Sequence, residues 1–144
     1  MRYSLAVLLV LASAILTQGQ SGPCTQSAVE RGHIPVADDA FSYMPPYGEP
    51  VVGKSSIGKA DAKSFSDRTN IRSEWVGEHR IVSSASGDMA YEYGTLHMSS
   101  DSKANPTTGH EDFKAAMLIV YKAHGTACQQ VALTMQPLEE KESR

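Results

Sequence analysis

The feature that most limits what this chain can fold into is the succession of strand-forming stretches that begins at Trp75. Trp75 to Ser83 carries Val76, Ile81 and Val82, and Ser86-Gly87-Asp88 makes a tight turn after it. Met89 to Ser99 then alternates two faces. Met89, Tyr91, Tyr93, Thr95 and His97 lie on one, and Ala90, Glu92, Gly94, Leu96 and Met98 on the other. A polar connection from Ser100 to His110, containing Asn105-Pro106, leads to the apolar, β-rich run Phe113 to Lys122. His124-Gly125-Thr126 turns the chain into a last strand, Ala127 to Met135, which Pro137 closes. Successive strands joined by short turns make an antiparallel meander.

Upstream the pattern is mixed. Thr25 to Arg31 suits a short helix, with Gly32 as its stop and Pro35 forbidding continuation. Ala37 to Met44 reads as a short strand that runs into the rigid turn Pro45-Pro46-Tyr47-Gly48-Glu49-Pro50. Val51-Val52-Gly53 is a short extended piece. Lys54 to Asp67 reads as a helix anchored by Ile57 and Phe65, with Gly58 working against it. Helices that precede a curved antiparallel sheet and cover one side of it give an α+β domain.

The first twenty residues belong to something else. Met1 to Ser4 holds one basic side chain, and Leu5 to Leu16 is an almost wholly apolar run without charge. A membrane span needs about 20 apolar residues, so this run is too short for one and fits a cleavable secretory signal. Thr17 and Gly19 suit the small-residue positions of the cleavage site, so the mature chain is expected to start near Gln20 and to work in the periplasm or outside the cell. Cys24 follows Ser21-Gly22-Pro23, which is not a lipidation pattern.

Cleavage removes Arg2 and no acid. Twelve basic residues then face 16 acidic ones, a net charge of −4. Such a chain has no electrostatic reason to seek nucleic acid or an anionic membrane. The roughly 124 residues left make one domain with a modest core. It is expected over residues 21–138, followed by the charged tail 139–144. Two cysteines remain, Cys24 and Cys128, and an oxidising compartment favours pairing them. Two free thiols are the alternative, and geometry decides between them.

The stretches Ala28-Val29-Glu30-Arg31-Gly32, Ala37-Asp38-Asp39-Ala40, Met44-Pro45-Pro46, Gly48 to Lys54, Trp75, Ser86 to Tyr91, Gly94 and Val120-Tyr121-Lys122, in this order and spacing, resemble the nuclear transport factor 2-like superfamily. The similarity is greatest to its SnoaL-like, ketosteroid isomerase-like branch of exported bacterial proteins. Ala28-Val29-Glu30-Arg31-Gly32 resembles the end of that branch's first helix. Ala37-Asp38-Asp39-Ala40, Met44-Pro45-Pro46 and Gly48 to Lys54 look like its first hairpin. Trp75, Ser86 to Tyr91 and Gly94 look like its central one, and Val120-Tyr121-Lys122 is similar to its penultimate strand. The resemblance implies a cone, in which a strongly curved sheet wraps a pocket closed by helices. It also implies a small-molecule binder or a small isomerase, cyclase or dehydratase, commonly a dimer formed through the sheet. Only about 13 residues separate Cys24 from Ala37, where the family holds two helices, so a shortened helical lid is expected. Cys128 stands near a position where a tryptophan is common.

No residue set fixes a reaction. A general acid or base needs a titratable group in a secluded cavity, and Glu92 is the candidate, because its face neighbours Ala90 and Gly94 leave room. Against this stands a solvated strand glutamate. His79 and His97 fall on adjacent strands, where two imidazoles and a carboxylate would be half a metal site. Without a close-spaced ligand motif they read better as exposed strand histidines, and no metal or cofactor is expected. His33, His110 and His124 fall in turns or loops. Neither a nucleophile elbow nor a phosphate loop is present. Trp75, Tyr91, Tyr93 and Tyr121 are the candidate walls of a pocket for a small hydrophobic or carbonyl ligand, with Glu92 as its polar tip. Aromatics of this kind equally serve sheet cores and dimer faces.

Overall fold

A computed structural model of the chain describes residues 22–45 and 48–139. The expected signal segment, its cleavage site and the end of the charged tail lie outside the described residues. Six strands and two helices follow in the order α1 (Gln26–Glu30), β1 (Val36–Tyr43), β2 (Val51–Val52), α2 (Lys54–Phe65), β3 (Arg68–Ser83), β4 (Met89–Ser102), β5 (His110–His124) and β6 (Ala127–Pro137). They form one curved, unclosed sheet of order β2-β1-β6-β5-β4-β3. The expected meander is there: β3 to β6 pair antiparallel in sequence. β1 then runs parallel to β6 and carries the two-residue β2 outside it. The free edges are therefore unequal, with two residues on one side and sixteen on the other.

Both helices are short. Thr25 caps α1 by accepting from the Ala28 N–H at 3.2 Å, and Val29 is the one side chain that α1 buries. Val29 packs with Cys24, Ala90, Ile119 and Tyr121 on the inner face of the sheet. Ile57 of α2 fills a second cluster with Ala37 and Ala40 of β1. Cys24 and Cys128 form a disulfide. It joins the segment ahead of α1 to the start of β6, and the N–H groups of Gly22 and Cys24 donate to the carbonyls of Ser86 and Gly87 in the β3–β4 turn.

β3 differs most from expectation. It starts at Arg68, not Trp75, and two irregularities break its pairing with β4. Asn70 takes a left-handed backbone (φ 52°) at the first, where its amide nitrogen donates to Asp101 at 2.8 Å. Gly77 (φ 71°) forms the second, and there Gly77 and Glu78 oppose no residue of β4. Residues with a tolerated positive φ are the usual currency of such bulges. β4 and β5 also extend further than expected, to Ser102 and back to His110, so His110 opens a strand and does not sit in a loop.

The outer face is apolar along a line that crosses every strand. Val52, Phe41, Ala132, Val120, Tyr91 and Val82 are consecutive partners from β2 to β3. Beside them run Tyr43, Leu118 and Tyr93. Among these, Phe41, Tyr43, Val52, Val82, Tyr91, Tyr93 and Leu118 are exposed.

Candidate functional site

The inner face of β3, β4 and β5 holds a compact polar cluster. Glu92 of β4 has a side chain only 12% exposed. Its Oε2 accepts from the Tyr121 hydroxyl of β5 at 2.5 Å, and its Oε1 lies 2.8 Å from His79 Nε2 of β3. The indole of Trp75 stacks on the His79 ring, with centroids 4.2 Å apart and planes 9° from parallel.

The Gly77–Glu78 bulge makes this arrangement possible. Trp75 pairs with Leu96 and His79 pairs with Gly94, so residues four apart on β3 stand over positions only two apart on β4. The extra residues are looped out, and the two rings meet face to face. Gly94 leaves the space for them. A Cβ there would lie 2.9 Å from the Glu78 carbonyl oxygen and 3.2 Å from Trp75 Cε3.

The electrostatics follow from burial. Tyr121 is buried, and desolvation first, then the hydrogen bond and the charge of Glu92, hold its phenol well above the ordinary range. It therefore stays a neutral donor to the carboxylate.

An open groove of about 430 Å³ runs beside this cluster, lined by Gln26 and Glu30 of α1 and by His79, Arg80, Ile81 and Val82 of β3. It touches the cluster through His79. A second concavity of about 500 Å³ lies between α2 and the β1–β2 hairpin, lined among others by Ser42, Met44, Ile57 and Asp61, and shares no residue with the cluster. Burial raises the Asp61 carboxyl above its ordinary value.

The sequence candidates thus separate. Trp75, Glu92 and Tyr121 come together on the inner face, joined by His79. Tyr91 and Tyr93 do not reach them. With period two they face outward, stacked on each other at 5.9 Å, and cannot wall a site that contains Glu92. His79 and His97 also stay apart. His97 pairs with Glu74 on the outer face and bonds Asp112 through Nε2 at 2.7 Å. The hydrogen bond to Asp112, then that to Glu74, raises its imidazole above the ordinary value. His110 joins the same outer patch, with Nδ1 2.7 Å from Asp101 Oδ1. Among the described residues no cluster of three His, Cys, Asp or Glu side chains suits a metal ion. His79 is the site residue that sequence reasoning underrated. Its parity with Trp75 was readable, but its register against β4 was not.

The fold, taken by itself, has known counterparts. The chain has the nuclear transport factor 2-like, cystatin-like fold. Among solved structures it is similar to a ketosteroid isomerase-like protein from Erwinia carotovora atroseptica, with TM-score 0.57 and 18% identity over 73% of this chain and 77% of the other. A nuclear transport factor 2-like superfamily protein from Salmonella enterica gives TM-score 0.61 and 12% identity over 75% and 74%. A protein with a cystatin-like fold from Novosphingobium aromaticivorans gives 0.54 and 11% over 74% and 67%. No family profile and no curated protein matches the chain by sequence. At such identities the likeness is one of fold, and a fold hosts many activities.

Proposed function

We propose that the protein is an exported, non-catalytic domain that binds a small, largely apolar ligand at the inner face of its sheet. One observation carries this reading. Trp75, His79, Glu92 and Tyr121 form an aromatic wall with a fixed polar tip, and His79 opens this wall to a groove. Small-molecule sites are built from apolar and aromatic walls with a few placed polar groups, in volumes of roughly 300–1,000 Å³. Both Glu92 oxygens are already engaged, one by the Tyr121 hydroxyl and one by His79 Nε2, which suits a fixed carboxylate better than a reacting one.

Trp75 is the one tryptophan of the chain and so a local reporter. A thermal-shift screen of small hydrophobic acids, ketones and phenols should yield a compound that also changes Trp75 emission. Trp75→Ala and Tyr121→Phe should weaken it, while Tyr91→Ala should not. A stabilising compound that leaves Trp75 unchanged overturns the placement of the site. Turnover of the compound that falls by about 10²–10⁴ in Glu92→Gln, the usual loss with a general base, overturns the non-catalytic part and favours a small isomerase, cyclase or dehydratase.

A second reading is supported by the outer face, where an apolar row spans all six strands. Exposed apolar patches of this extent mark interaction surfaces, and we propose that two copies pair sheet to sheet. Sedimentation should show a dimer that Tyr93→Lys and Leu118→Lys together convert to monomer. A monomer in the unmutated protein overturns the pairing.

A further inference from the structure

The proton arithmetic of the inner-face cluster narrows what the ligand can be. An ionised carboxylate only accepts hydrogen bonds. Both Glu92 oxygens are engaged, one by the Tyr121 hydroxyl and one by His79 Nε2. The proton in the second bond therefore sits on Nε2. In a neutral imidazole the other nitrogen is then a bare acceptor. Nδ1 of His79 has no protein partner among the described residues. It is not shut off either, since Ser83 Oγ is the one buried side-chain polar atom without a partner among them. The side chain is 29% exposed and lines the groove. The ring cannot easily turn over to exchange its nitrogens, because Trp75 lies flat against it and a flip would break the bond to Glu92.

We propose that His79 Nδ1 is the polar contact of the ligand site, that Glu92 is a positioning residue that fixes the tautomer, and that the site selects ligands carrying a hydrogen-bond donor on an aromatic or enolic ring. This rests on the reading of the inner face as a ligand site. A phenol or enol meets this requirement: it enters the groove beside the Trp75–His79 stack and its hydroxyl donates to Nδ1. A carboxylate or an ether of the same size brings only lone pairs toward a lone pair. The expected preference for the donor is about tenfold, the worth of one neutral hydrogen bond against none.

Two measurements on the full chain test this at neutral pH. The first is the tautomer of His79, read from long-range imidazole ¹⁵N–¹H correlations of the unmutated protein without ligand. The neutral Nε2–H form is expected, and either the Nδ1–H form or an imidazolium protonated on both nitrogens overturns the proposal whatever binds. The second compares phenol, anisole and benzoate as probes, followed by the indole N–H resonance of Trp75. Phenol should bind about tenfold more tightly than the other two, and His79→Ala should bring phenol and anisole within about twofold. If all three shift Trp75 with equal affinity, the inner face is a ligand site but His79 does not select, and the proposal alone fails. If none moves any inner-face resonance, the ligand-site reading fails and the proposal falls with it. The tautomer needs no variant, so it remains decisive if His79→Ala does not fold.

Discussion

Gly94→Ala asks whether the Trp75–His79 stack needs the vacancy beneath it. Gly94 has no left-handed backbone, so the substitution is not strained by its φ, and in open space it would help. Replacing a strand or helix glycine by alanine gains roughly 0.5–1 kcal/mol from the unfolded chain. At Gly94 the added Cβ would sit 2.9 Å from the Glu78 carbonyl oxygen, 3.2 Å from His79 Cα and 3.2 Å from Trp75 Cε3. Two of these atoms are backbone and cannot swing aside, so the bulge itself must shift. Overpacking of this kind costs about 1–3 kcal/mol. The balance is a net loss centred on about 1 kcal/mol, a fall in Tm of about 4 °C for a domain of this size. Urea and thermal unfolding measure it, and Trp75 emission should change because its partner ring has moved. Gly58→Ala in α2 is the control. A Cβ there meets nothing within 4 Å, so helix propensity should make that variant more stable by about 0.5–1 kcal/mol. The reasoning is refuted if Gly94→Ala matches or exceeds the unmutated protein in stability with Trp75 emission unchanged.

Tyr121→Phe leaves Glu92 Oε2 without its donor in a nearly buried place, and a loss of about 1.5–3 kcal/mol is expected in urea unfolding. Spectroscopic titration should find the Tyr121 phenol un-ionised above about pH 10, where an ordinary tyrosine titrates. His97 is held above its ordinary value, so its contribution to stability is complete below about pH 6.5 and is lost as pH rises through the raised value. His97→Gln should therefore flatten the decline in urea midpoint as pH rises above about 6.5, and identical profiles would count against the Asp112 and Glu74 contacts. Opening the Cys24–Cys128 bond frees a loop with a sequence separation of 104 residues, for which chain entropy gives about 4–5 kcal/mol. Reduction should lower the urea midpoint accordingly, and an unchanged midpoint would deny the bond its role.

How much of this was readable from the sequence differs by element. The apolar, β-branched runs of β5 and β6 and the turns at Gly87 and Gly125 showed through because burial and turn chemistry leave local marks. The first seven residues of β3 did not. Arg68 to Glu74 is polar and mostly exposed, so it lacks the alternation that burial on one face imprints. It is a strand because β4 is there to pair with it. The disulfide had only one possible pairing, but its existence depended on where α1 lies. Glu92 and Tyr121 were found by face and by size. Their neighbour His79 required the register beyond Gly77, which looks like any strand glycine until φ is known. Tyr91 and Tyr93 drew notice as aromatics, although their parity already set them opposite Glu92.

The unequal edges of the sheet bear on whether this protein stays dissolved. An unpaired edge is a template on which a foreign strand can add, and the danger grows with the length of flat, regular backbone offered. β2 offers two residues, too few to nucleate such growth. β3 offers sixteen, but the irregularities at Asn70 and Gly77 cut them into pieces, with Arg72–Val76 and His79–Ser83 as the longer regular stretches left. Each bulge turns the strand and interrupts the row of amides that an incoming chain would have to match. The bulge that gathers Trp75 and His79 on one side therefore also guards the longest exposed edge against amyloid-like addition. A change at Gly77 that straightened β3 would risk insolubility as well as the site.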